Sequence, residues 1–122
     1  MPNYRRMLRQ GGVYFFTVVT YRRRPLFTSS FARECLHEAF LQQHRTHPFD
    51  LFAICLLPDH LHCVWCLPKG DADYSARWQS IKRHFTQRYL DGGGSEGKVS
   101  AAEQREGRKG VWQPRFLGTH GS

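Results

Sequence analysis

Phe49-Asp50-Leu51-Phe52-Ala53-Ile54-Cys55-Leu56-Leu57, then Pro58-Asp59, then His60-Leu61-His62-Cys63-Val64-Trp65-Cys66-Leu67, is the stretch on which the architecture turns. Two apolar runs of strand length are separated by a two-residue corner. Proline has no N–H to give a ladder and aspartate suits a tight turn, so the runs are expected to pair as an antiparallel hairpin. On the N-terminal side, Pro48 closes a helical pattern in which Phe31, Cys35, Leu36, Ala39 and Phe40 share one face, with Glu34, Glu38, Gln42 and Arg45 opposite. Ser29 or Ser30 can cap that helix. Before it, 13–21 is a run of β-branched and aromatic residues that reads as a strand, stopped by the basic turn Arg22-Arg23-Arg24-Pro25.

On the C-terminal side, 68–71 is a loop, and Asp71, Asp73 or Ser75 can cap a second helix on which Trp78, Ile81, Phe85 and Tyr89 recur at helical spacing. Arg77, Arg83, His84 and Arg88 point elsewhere on it. Residues 91–110 lose periodicity and hold six glycines, which reads as a long mobile loop. A short piece at 111–116 is expected to form an edge strand, and 117–122 to be a frayed tail. The order strand, helix, strand, strand, helix, short strand predicts an α+β, ferredoxin-like split βαβ fold. One antiparallel sheet carries two helices on one face and leaves the other face available.

With 122 residues, 40% of them hydrophobic, the chain (1–122) has the size and apolar content of a single domain with its own core. Eighteen Lys and Arg against ten Asp and Glu give a formal charge of +8, which favours a polyanionic partner. The cations cluster at Arg5, Arg6 and Arg9, at Arg22, Arg23 and Arg24, on the second helix with Lys82, and at Lys98, Arg105, Arg108, Lys109 and Arg115. No run reaches a membrane span and the N-terminus lacks the layout of a secretory signal, so no membrane partner and a cytoplasmic location are expected. Cys35, Cys55, Cys63 and Cys66 sit in apolar periodic segments and read as reduced core residues.

The chemistry-bearing motif is Pro58-Asp59-His60-Leu61-His62. Side chains alternate on a strand, so both imidazoles project from one face a pleat apart and can converge on a divalent ion. An ion held beside a phosphodiester polarises its phosphoryl oxygen. Asp59 can orient one imidazole as a second-layer partner. A zinc knuckle built on Cys63 and Cys66 is disfavoured, because residues three apart on a strand face opposite sides.

Several segments, in order along the chain, resemble the REP-associated tyrosine transposases. They are 12–27 with Thr20-Tyr21-Arg22-Arg23-Arg24-Pro25-Leu26-Phe27, then Leu57-Pro58-Asp59-His60-Leu61-His62-Cys63-Val64-Trp65, Leu67-Pro68 with 70–74, Trp78 with Ile81-Lys82 and Phe85, and Trp112-Gln113-Pro114-Arg115-Phe116. That family is part of the single-tyrosine HUH transposases, named for a His-hydrophobic-His motif that His60-Leu61-His62 matches. The resemblance implies Mg²⁺ or Mn²⁺ on His60 and His62 and single-stranded or hairpin DNA as partner. It also implies a tyrosine, on a helix after the final strand, that attacks the DNA backbone and stays joined to the 5′ phosphate.

It further implies that Arg5, Arg6 and Arg9 help recognise a folded hairpin end, whereas Arg22, Arg23, Arg24, Lys82 and Arg115 are candidate phosphate contacts by their charge. Tyr4, Tyr21 or Trp112 are candidates to stack on unpaired bases. The chain departs from the family pattern at Leu117-Gly118-Thr119-His120-Gly121-Ser122, where the family continues into the tyrosine helix. That helix is expected to be missing, so no catalytic residue is assigned, and Tyr74 and Tyr89 read as core or boundary aromatics. The alternative is a non-catalytic nucleic-acid-binding module of the same fold, although the first strand lacks the Lys/Arg-Gly-aromatic signature of RNA-recognition domains.

Overall fold

The computed structural model describes residues 12–113 and the backbone of 117–121. Four strands form one sheet in the order β2-β3-β1-β4, all neighbours antiparallel: β1 Val13–Val19, β2 Asp50–Leu57, β3 His60–Cys66 and β4 Leu117–Gly121. Two long helices, α1 Ser30–Thr46 and α2 Tyr74–Asp91, join them, which gives the expected ferredoxin-like arrangement. Among the described residues, no helix is long and apolar enough to cross a membrane.

Alternation along the central strands decides which face is which. Tyr14, Phe16 and Val18 of β1, with Leu61, Cys63 and Trp65 of β3, are buried in one cluster with Cys35, Leu36, Ala39 and Phe40 of α1 and Trp78, Ile81 and Phe85 of α2. Trp65 and Trp78 stack at 4.6 Å between ring centroids, with Phe16 4.8 Å from Trp65. These large rings close the space between sheet and helices. The other parity, Phe15 and Thr17 on β1 and His60, His62 and Val64 on β3, stands on the opposite face.

Each helix start is capped by one of the candidates its sequence offers. Ser29 accepts from the Ala32 N–H at 3.2 Å and Asp73 from the Ala76 N–H at 3.1 Å. The hairpin turns at Pro58-Asp59, with Leu57 opposite His60.

Several expectations need correction. The final strand is 117–121, read from sequence as a tail, whereas Trp112 contributes only a single bridge to Thr20. What recruits 117–121 is the otherwise open backbone edge of β1, a demand that side-chain pattern does not encode. The aperiodic stretch 91–110 holds a helix of its own, α3 Ala101–Arg105, opened by a capping box between Ser100 and Glu103. Cys55 is exposed, because β2 is an edge strand, while Cys35, Cys63 and Cys66 are buried as expected. Arg77 is buried rather than turned outward, its guanidinium donating to Asp71, Asp73 O, His47 O and Pro48 O. It spends its donors on the α1 C-terminus and the α2 start.

A histidine pair on the open face of the sheet

The register of β3 places His60 opposite Val19 and His62 opposite Thr17. The two imidazoles lie 4.9 Å apart by ring centroid and nearly perpendicular, at 84°. Each has one ring nitrogen already engaged. His60 Nδ1 is 2.7 Å from Asp59 Oδ1, and His62 Nδ1 is 2.9 Å from Thr17 Oγ1.

The tautomer of His60 follows from its partner. The hydrogen bond from the His60 ring, and then Arg23, hold the Asp59 carboxyl below its ordinary value, so it is ionised at neutral pH and can only accept. His60 Nδ1 therefore carries the proton and Nε2 presents a lone pair. For His62 the Thr17 hydroxyl can act as donor or acceptor, and in either case fixes the ring's rotation. Thr17 was not among the residues singled out from sequence. Its signal is the pairing register, which places it across from His62 but becomes visible only once the strands are aligned.

The pair suits a divalent ion as two nitrogen ligands with supported outer faces. Further ligands have to come from elsewhere, since no group of three or more His, Cys, Asp or Glu that could hold a metal occurs among the described residues. Beside His62 a depression of about 330 Å³ is lined by Phe15, Thr17, Cys55, His62 and Val64 among others. Its walls are mainly apolar, and Phe15 is 47% exposed.

Arg22, Arg23 and Arg24 separate into three roles. Arg22 and Arg23 both have positive φ, 48° and 54°, a conformation that costs non-glycine residues energy and persists only where surroundings impose it. Here the fully buried Thr20 imposes it: its hydroxyl lies 2.7 Å from Arg24 O and 2.9 Å from Asp59 O, lacing the basic turn to the hairpin corner. Arg23 thereby reaches Asp59 Oδ2 at 3.2 Å, completing a chain from Arg23 through Asp59 to His60. Arg24 turns inward, donating to Gly110 O and to Ser95 O and Oγ. Arg22 is exposed and lies 5.4 Å over the Tyr21 ring.

Lys82 is half-buried beside Trp112, and burial pulls its ammonium down to about 8. Tyr21 is buried, with its hydroxyl donating toward Lys98 O and Glu103 Oε1, so it offers no face for stacking. Trp112 packs on Phe27 and Phe85 and is partly exposed. Arg5, Arg6, Arg9, Arg115 and Tyr4 lie outside the described residues.

No tyrosine among the described residues shares the open face with the histidines. Tyr14 and Tyr74 pack on Phe16 in the core, and Tyr89 stacks on Phe85 and Phe31.

Fold and site together define a ferredoxin-like α+β domain that carries paired, outward-facing imidazoles on the free side of its sheet. By sequence the chain is a homologue of the REP-associated tyrosine transposases. It is 38% identical over 117 residues to the REP-associated tyrosine transposase of Escherichia coli K12, covering 95% of this chain and 59% of that protein. A Haemophilus influenzae protein of the same designation is 37% identical over 116 residues, covering 95% of this chain and 64% of its own length. The chain thus spans roughly three fifths of the curated relatives it matches.

A solved structure of a REP-associated tyrosine transposase bound to a REP hairpin superposes with a TM-score of 0.68 at 34% identity, over 93% of this chain and 58% of that one. A transposase-class structure from Deinococcus radiodurans shares the fold, with a TM-score of 0.61 at 14% identity over 90% of this chain and 78% of its own. No family model matches the chain.

Proposed function

We propose that this chain is the metal- and DNA-binding portion of a single-stranded-DNA transposase. The observation that carries the proposal is the pair of imidazoles whose Nδ1 atoms are both engaged, at 2.7 and 2.9 Å, leaving Nε2 of each for a shared cation. Homology to transposases, one of them solved with a hairpin, supports DNA as the partner. In this reading His60 and His62 hold Mg²⁺ or Mn²⁺ and Asp59 and Thr17 orient them. Arg22 meets the phosphate backbone, as do Lys82 and the N-terminal Arg5, Arg6 and Arg9, with Arg115. When bound, the ion would polarise a phosphoryl oxygen of the strand during metal-assisted tyrosine transesterification.

The protein's own contribution is positioning. The sheet fixes two ligands a pleat apart, the Asp59 anion keeps His60 in the ligating tautomer, and the basic turn brings positive charge to the same end of β1. None of the described tyrosines shares the histidine face, so in this reading the described residues bind hairpin DNA without supplying the nucleophile.

The test is calorimetric titration of the purified chain with Mn²⁺, for wild type and for His60→Ala and His62→Ala, followed by incubation with end-labelled hairpin DNA. Saturable Mn²⁺ binding lost in both variants, with no protein-linked 5′ end, is the expected outcome. Mn²⁺ binding that survives both substitutions removes the metal assignment, and a covalent adduct removes the claim of an absent nucleophile. The exposed Phe15 beside His62 favours a second reading, a non-catalytic module that stacks bases on its sheet. Under that reading Phe15→Ala weakens DNA binding and His60→Ala does not.

A further inference from the structure

Thr20 is fully buried where β1 ends, and it is engaged on both sides. Toward the hairpin corner its N–H donates to Asp59 O at 3.0 Å, and the neighbouring Pro58 O accepts from the Phe27 N–H at 3.0 Å. On the other side it bridges to Trp112, between a hydrogen bond from the Gln113 N–H to Val19 O at 3.1 Å and one from the Tyr21 N–H to Val111 O at 2.9 Å. Within the basic turn, Thr20 O accepts from the Arg23 N–H at 3.1 Å, while the hydroxyl lies 2.7 Å from Arg24 O and 2.9 Å from Asp59 O.

A hydroxyl has one proton and these are two carbonyl acceptors, so the proton is shared between them. Asp59 O already receives the Thr20 N–H, and the shorter distance marks Arg24 O as the main recipient. The hydroxyl thereby closes the turn from Thr20 to Arg24 over the left-handed Arg22 and Arg23, and touches the hairpin corner with the same atom. Two successive non-glycine residues at positive φ relax unless something holds them.

What this clamp positions is a carboxylate. Asp59 Oδ1 meets His60 Nδ1 at 2.7 Å, and Oδ2 meets Arg23 at 3.2 Å. The Arg23 side chain is 62% exposed, and an ion pair so open to water does little to hold Asp59. The holding falls to the buried hydroxyl, which governs both the main chain of Asp59 and the turn that carries Arg23. Without it the carboxylate is free to rotate off Nδ1, and the His60 proton can then move to Nε2, the nitrogen a cation needs bare.

We propose that Thr20 is a positioning residue for the histidine pair, acting on His60 through Asp59 and leaving His62 untouched. The proposal rests on the metal-binding reading given above and adds to it a residue that reaches neither the imidazoles nor the ion.

The test compares the wild-type chain with Thr20→Val, which keeps the branched shape and removes the hydroxyl, and with Thr20→Ser, which keeps the hydroxyl. In the metal-free chain, two-bond ¹H–¹⁵N spectra in mildly alkaline buffer report which ring nitrogen carries the proton. Thr20→Val is expected to move His60 from the Nδ1–H toward the Nε2–H form with His62 unchanged, and Thr20→Ser to match wild type. Mn²⁺ affinity by calorimetry is expected to fall about threefold in Thr20→Val, and to fall no further when Thr20→Val is added to Asp59→Asn. An unchanged His60 in Thr20→Val, equal changes at both histidines, or additive losses in the double variant would reduce Thr20 to a structural residue. If Thr20→Val does not fold, two variants still decide. A His60 shift in Thr20→Ser would assign the effect to the methyl, and full conversion in the surface variant Arg23→Gln would assign it to the ion pair, and either overturns the proposal. A wild-type chain that binds no Mn²⁺ removes the metal reading, while the metal-free spectra still judge Thr20.

Discussion

Thr17 and Asp59 support neighbouring imidazoles in different ways, and the difference is measurable. Asp59 brings a charge: its carboxylate accepts from His60 Nδ1 and so leaves Nε2 as the ligating nitrogen. Thr17 brings only geometry, holding the His62 ring at 2.9 Å without adding charge. Asp59→Asn is therefore expected to lower Mn²⁺ affinity roughly tenfold, and Thr17→Val by less, since outer partners of metal-bound histidines typically contribute ~10–100-fold. Calorimetric titration at fixed pH checks both, and equal affinities for wild type and Asp59→Asn would show that the carboxylate does not tune the ring. The sequence alone disclosed the histidines and Asp59, because strand alternation and adjacency are local properties. Thr17 stayed hidden, since its relation to His62 exists only through pairing across 45 residues.

The elements were legible where local chemistry fixes them. Pro58-Asp59 read as a corner, Ser29 or Ser30 and Asp71, Asp73 or Ser75 offered caps of which the fold uses Ser29 and Asp73, and the apolar faces of α1 and α2 had one periodicity each. Two features were not. β4 forms because β1 has a backbone edge to satisfy, and Arg77 is buried because the ends of two helices meet there with carbonyls exposed. A lone arginine on a helix otherwise reads as surface.

That burial yields a prediction. The hydrogen bonds from Arg77 hold the Asp71 carboxyl at about 2, against an ordinary 3.8. A folded-state pKa below the unfolded one stabilises above about 3.8, and that stability is lost as the pH falls through about 2. Asp71→Asn is expected to cost about 1–2 kcal/mol at pH 7, a range discounted because solvent reaches the carboxylate. The loss should shrink as the pH falls through about 2, where wild type itself loses the anion. Urea unfolding at several pH values measures this, and a deficit independent of pH would assign the effect to packing instead.

For the molecule as a whole, the decisive quantity is how its +8 formal charge is spent. Composition treats Arg22, Arg23 and Arg24 as one basic cluster, but the fold divides them. Arg24 ties the 95–110 segment to the body through Gly110 and Ser95, Arg23 neutralises Asp59, and Arg22 is exposed with no ion pair within 4 Å among the described residues. Counterion release depends on phosphates neutralised, so each true phosphate contact contributes close to one unit to the slope of log affinity against log salt. Arg22→Gln is expected to reduce the slope for hairpin DNA by about 1, with little effect on stability. Arg24→Gln should leave the slope unchanged yet speed proteolytic cleavage within 95–110, because it releases a segment rather than a phosphate. Fluorescence anisotropy across a salt series, paired with limited proteolysis, separates the two effects. A slope that falls with Arg24→Gln and not with Arg22→Gln would mean that the inward-turned guanidinium swings out of its place in the fold to meet the DNA.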